Sequence, residues 1–202
     1  QGRVSDDYTL RTAKASRIHY EANTLTMDCE SGNGFRFQIE FRVSDSDVAF
    51  RYTVPQKGDV RTMVVSGEAS SFRLPEKTTT FLCPQITPME GWMRTKPSYE
   101  EEYTADAPMD VKSRFGQGYT FPCLFRVGDD GWVLVSETGT DGSYAGCHLS
   151  DWSAENGYTI AFPMEGECNG LGSPKVGLSL PQSTPWRTVT VGSTLKPIVE
   201  TT

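Results

Sequence analysis

Between Phe35 and Val54 the chain alternates with strict period two. Phe35, Phe37, Ile39, Phe41 and Val43 interleave with Arg36, Gln38, Glu40 and Arg42. After Ser44–Asp47 the pattern returns through Val48, Phe50, Tyr52 and Val54. Successive side chains of a strand point to opposite faces, so this spacing predicts an antiparallel hairpin with one face buried and one wet. Such a hairpin is stable only when a second layer covers its apolar face.

The rest of the chain follows the same logic. Gly131–Glu137 carries Trp132, Val133, Leu134 and Val135, and apolar residues on both parities predict a strand covered on both sides. The turn string Gly128-Asp129-Asp130-Gly131 joins it to a strand over Phe121–Val127. Further strands are expected near His19–Met27, Val60–Val65, Ala69–Leu74, Tyr158–Phe162, Lys175–Leu180 and Trp186–Val191. Residues 1–14 are polar and weakly patterned and read as an irregular lead-in. Residues 75–120 are interrupted by Pro75, Pro84, Pro88, Pro97 and Pro108 and read as loop. No amphipathic helix longer than a turn or two is legible. Many short strands with Gly/Pro turns predict an all-β fold of two packed antiparallel sheets.

A chain of 202 residues suffices for one large sandwich. Its net charge of −7 argues against a phosphate-backbone partner, and no apolar run approaches the ~18 residues of a membrane-spanning helix. The five cysteines (Cys29, Cys83, Cys123, Cys147, Cys168) contain no CxxC pair, which excludes the usual zinc-ribbon and redox-dithiol spacings. Buried thiols are expected, with one disulfide open if the protein is exported. Only His19 and His148 are available as imidazole bases. Cys147 and His148 are adjacent, so in a strand they face opposite ways and do not form a nucleophile–base pair.

Four segments, in order, resemble one family. They are Phe41–Tyr52, Gly131–Glu137, Asp141–Leu149 and Thr184-Pro185-Trp186-Arg187-Thr188-Val189. Together they are similar to the N-terminal domain of family 97 glycoside hydrolases, bacterial α-glucosidases and α-galactosidases. The resemblance implies a galactose-mutarotase-like β-supersandwich over residues 1–195, lacking its first strands, with residues 196–202 opening a linker to a catalytic (β/α)₈ barrel of the same polypeptide. It implies α-linked oligosaccharide substrates, with no nucleic acid and no membrane span, and a calcium-dependent reaction carried out on the barrel. Export to the periplasm or cell surface is also implied. No leader is legible at Gln1; under the resemblance either the signal has been removed or, the favoured expectation, the sequence begins inside its gene.

Within this chain the resemblance singles out Glu137 as a metal ligand, since calcium takes six to eight hard oxygens. The competing reading makes Glu137 a cap for the loop 138–143. Trp92, Tyr99 and Tyr103 are candidate sugar or interdomain contacts, or simply aromatics covering a core. Trp186 reads as structural, Arg187 as the partner of a carboxylate, and Asp129, Asp130 and Asp141 as turn residues. The alternative function is a free-standing carbohydrate-binding sandwich without catalysis.

Overall fold

The structure is a computed structural model that describes residues 1–88, 101–170 and 172–201. The alternation at 35–54 forms β3 (Arg36–Val43) and β4 (Asp47–Val54). Phe41 lies opposite Phe50 and Ile39 opposite Tyr52, so the apolar positions share one face. Next to β3, β2 (Arg17–Glu30) places Leu25 beside Phe41 and Met27 beside Ile39 on that same face.

On the far side of β2 lies β1 (Gly2–Thr9), paired along its whole length. The irregular lead-in expected over residues 1–14 is therefore largely a strand. Nearly all of β1 is exposed, so the ladder alone holds it and no core-facing period marks it in the sequence.

Beyond β4 the large sheet continues through β15 (Trp186–Gly192), β10 (Gly131–Thr138), β9 (Cys123–Val127), β7 (Thr78–Leu82) and β8 (Thr104–Pro108). β14 (Gln182–Ser183) also pairs with β4. The last strand in sequence thus sits at the sheet centre, between β4 and β10. Both β7 and β8 lie in the proline-interrupted stretch expected to be loop. β7 is hard to see because its inward positions include Thr78 and Thr80, both buried.

The second layer is built from smaller sheets. One joins β11 (His148–Leu149), β12 (Tyr158–Ala161) and β6 (Ser71–Phe72), and another joins β13 (Val176–Ser179) and β5 (Thr62–Val65). Leu82, Cys123, Phe125 and Val135 of the large sheet pack against Leu149, Tyr158 and Ile160. A second cluster joins Val54 to Tyr144, Val176 and Leu178. The fold is an all-β, two-layer antiparallel sandwich. Among the described residues two short helices complete it, α1 (Glu167–Gly170) and α2 (Leu195–Thr201). Ile198 of α2 is buried, and Lys14 Nζ donates to the Val199 carbonyl at 2.8 Å.

Candidate functional site

β10 and β15 run side by side, and their register sets Glu137 opposite Arg187. β15's other neighbour places Phe50 across from Arg187, so the guanidinium lies on the inner face, where its side chain is 0% accessible. A guanidinium without water must find its partners inside the protein. Arg187 Nε and Nη2 donate to Glu68 Oε1 and Oε2 at 3.1 and 2.7 Å, a two-pronged pair. Arg187 Nη1 donates to Glu137 Oε2 at 2.5 Å, and Nη2 also lies 3.3 Å from Cys147 Sγ.

Both carboxylates are held from behind. Glu68 Oε1 accepts from Ser70 Oγ at 2.7 Å, and Ser70 Oγ in turn pairs with Tyr52 Oη at 2.9 Å. Glu137 Oε1 accepts the Cys147 backbone N–H at 2.8 Å.

Burial pushes Glu137 above the ordinary carboxylate range, opposed by the Cys147 N–H and Arg187 and reinforced by the nearby charge of Glu68. For Arg187, burial works against the charge, but Glu68 above all holds the guanidinium protonated beyond its usual value. Burial also pushes the Cys147 thiol up to about 12, so it is not a thiolate nucleophile near neutral pH. His148 is buried and hydrogen-bonds the Gln117 backbone; burial lowers its pKa. The two neighbours occupy separate surroundings, as their adjacency in sequence predicts.

For calcium, the residues present fit one role and not another. Among the described residues no group of three or more His, Cys, Asp or Glu could hold a metal, so these residues do not make a site of their own. Glu137 fits as a single contributed ligand. Its side chain is 11% accessible, and each oxygen carries one of the hydrogen bonds above while a carboxylate oxygen has two lone pairs.

The loop after β10 is tied down independently of Glu137. Asp141 Oδ1 accepts from the backbone N–H and Oγ of Ser143 at 2.9 and 2.6 Å, as expected for a turn residue. Ser143 Oγ accepts from Gln182 Nε2 at 2.6 Å. This loop borders a cleft of about 510 Å³ lined by Arg51, Thr53, Asp141, Ser143, Gln182 and Trp186. Trp186 is half-buried, with the Arg42 and Arg51 guanidinium carbons 4.5 and 4.4 Å from its ring centre. Tyr103 is exposed, while Trp92 and Tyr99 lie outside the described residues.

Nothing in the sequence marks Glu68 or Ser70 as part of this network, and Tyr52 reads there only as an apolar position of the hairpin. Glu68 reads locally as part of a Ser-Gly-Glu turn. Its role arises from a partner 119 positions away, and no local period reports that.

A family model described as Glycosyl-hydrolase 97 N-terminal matches residues 1–202. A crystal structure of a beta-arabinopyranosidase is 57% identical, with a TM-score of 0.94, over 99% of this chain and 32% of that one. A probable retaining alpha-galactosidase of Streptomyces bingchenggensis (strain BCW-1) is 28% identical over 98% of this chain and 27% of its own length. A glycoside hydrolase family 97 enzyme of Pseudoalteromonas sp. strain K8, solved with panose, shares the fold at 20% identity and a TM-score of 0.74, over 98% of this chain and 27% of that one. The chain therefore spans about a third or less of the length of these relatives.

Proposed function

Because the chain belongs to the glycosyl-hydrolase 97 N-terminal family, we propose that it is the accessory sandwich of a larger, calcium-dependent glycosidase whose barrel carries out hydrolysis. Its work is to support the barrel and to present Glu137 as one carboxylate of a shared calcium site. The observation that carries this reading is Glu137 itself. It is fixed near the exit of a central strand and backed by a buried guanidinium, with its side chain 11% accessible. Calcium bound there would supply positive charge to a substrate oxygen; this domain's own part is to hold the Glu137 carboxylate in place.

The substrate proposed is a β-L-arabinopyranoside or an α-D-galactoside, as the names of two relatives suggest. These sugars share ring configuration and differ by the hydroxymethyl group at C5. The test assays the intact enzyme and residues 1–202 alone on nitrophenyl β-L-arabinopyranoside, α-D-galactoside and α-D-glucoside. Calcium-dependent cleavage of either of the first two by the intact enzyme alone supports the reading, and cleavage by neither overturns it. Export to the periplasm or cell surface belongs to the same proposal and is checked by cell fractionation.

A second reading, sugar binding by the sandwich itself, draws on the cleft beside Trp186, whose walls offer hydroxyl, amide and aromatic groups. Titrating the domain with the same free sugars separates the two, since the accessory reading expects no saturable binding.

A further inference from the structure

We propose that Glu68 is a positioning residue for Glu137 as a metal ligand: by occupying two of Arg187's three nitrogens, it leaves the Glu137 carboxylate held by one nitrogen only and the more accessible of the two. This inference rests on the reading that Glu137 contributes to a calcium site. One guanidinium faces two carboxylates, so the triad carries one net negative charge when both acids are ionised. Without Glu68, Arg187 and Glu137 would form a neutral buried pair, with little reason to attract a cation.

The geometry gives the two carboxylates unequal shares of Arg187. Glu68 takes the two-pronged contact through Nε and Nη2, whereas Glu137 receives Nη1. Glu68 is 5% accessible and Glu137 11%, so the carboxylate nearer solvent is the one held by a single nitrogen. Glu68 is itself aimed by Ser70 and Tyr52. The Cys147 N–H fixes the other Glu137 oxygen, so the carboxylate cannot rotate to take a second Arg187 nitrogen without losing that bond. Groups that orient a metal ligand without touching the metal typically change its affinity about 10–100-fold.

The experiment uses the intact enzyme, stripped with a chelator and titrated with calcium in a calorimeter. Wild type is compared with Glu68→Gln and Glu137→Gln, and the metal-free melting temperature of each is recorded. The expected result is a calcium affinity about 10–100-fold weaker in Glu68→Gln and at least as weak in Glu137→Gln, with a smaller change in metal-free melting for Glu68→Gln than its calcium loss would imply. Wild-type affinity in Glu137→Gln would overturn the calcium reading itself. Loss in Glu137→Gln with wild-type affinity in Glu68→Gln would overturn only this inference. So would a Glu68→Gln loss fully matched by lower metal-free stability, which marks a purely structural role. If Glu68→Gln does not fold, Ser70→Ala keeps the charge and removes the hydroxyl that aims it; a several-fold loss of calcium affinity is then expected, and none would overturn the proposal.

Discussion

A guanidinium with no access to water is stable only when its hydrogen-bond donors are met and its charge is balanced. Arg187 meets both conditions through residues from three places in the chain: Glu68, Glu137 and Cys147. Removing the cation leaves two buried carboxylates facing each other. Arg187→Met should therefore cost about 3–5 kcal/mol, the usual result of breaking a buried pair from one side. Arg187→Lys should cost less but remain clearly destabilising, because a point charge cannot fill a planar, three-nitrogen arrangement. Urea unfolding midpoints check both. A second prediction at this scale concerns pH. Burial lowers His148 below its ordinary 6.5, against the pull of Glu167 and the Gln117 backbone. The unfolded chain then binds the proton more readily than the folded one. The stability due to neutral His148 is fully present above about pH 6.5 and is lost as pH falls through the lowered folded value. Unfolding midpoints from pH 8 down to 5.5 should decline in the wild type and flatten in His148→Gln. His19 has the opposite sign, since Asp7 at 2.9 Å raises it, but it stands in solvent and contributes little to this slope.

Among the elements, the backbone crossing between the two layers is the most sensitive to sequence. Tyr119 exchanges backbone hydrogen bonds with Leu149 at 2.8 and 2.9 Å, and Gly118 must pass close beneath that contact. A Cβ on Gly118 would lie 2.0 Å from the Leu149 carbonyl oxygen at a φ of +84°. Gly142 has nearly the same φ, +83°, with nothing nearby. Gly142→Ala should cost only the ~1–2 kcal/mol of a left-handed residue. Gly118→Ala should lower the melting temperature at least twice as far, because the layers must also move apart. The same contrast between local and long-range demands explains what could be read from sequence. The hairpins at 35–54 and 121–137 were legible because apolar side chains mark their buried faces. β7 was hidden by its inward threonines, and β1 by being wet on both sides. At the site, Arg187 was legible as the partner of a carboxylate and Asp141 as a turn residue. Glu68 was not, since its meaning depends wholly on the strand that folds against it.

At the scale of the whole molecule, the two layers are unequal. The large sheet runs from β1 to β8, while the smaller sheets cover its inner face only in part. Leu25, Met27, Val43 and Val48 share that inner face by register, beside Phe41 and Ile39, yet remain 37–44% exposed. Apolar side chains gathered on one sheet face gain about 25 cal/mol for each Å² they remove from water, and monomeric soluble proteins rarely leave such a patch bare. Residues 1–202 alone should therefore associate through this face, detectable as a concentration-dependent rise in sedimentation coefficient. The double substitution Met27→Gln and Val48→Thr reduces the patch without emptying the core, since both side chains are already over a third exposed. It should return the domain to a monomer with its urea midpoint nearly unchanged. Association that survives the substitution would place the contact elsewhere, on the outer face or at the free edge of β1. A collapse of the midpoint would show that these side chains stabilise the fold more than their exposure implies. A longer polypeptide containing this domain would give the complementary measurement: if its other parts cover this face, the same two substitutions should destabilise it while leaving the isolated domain almost unaffected.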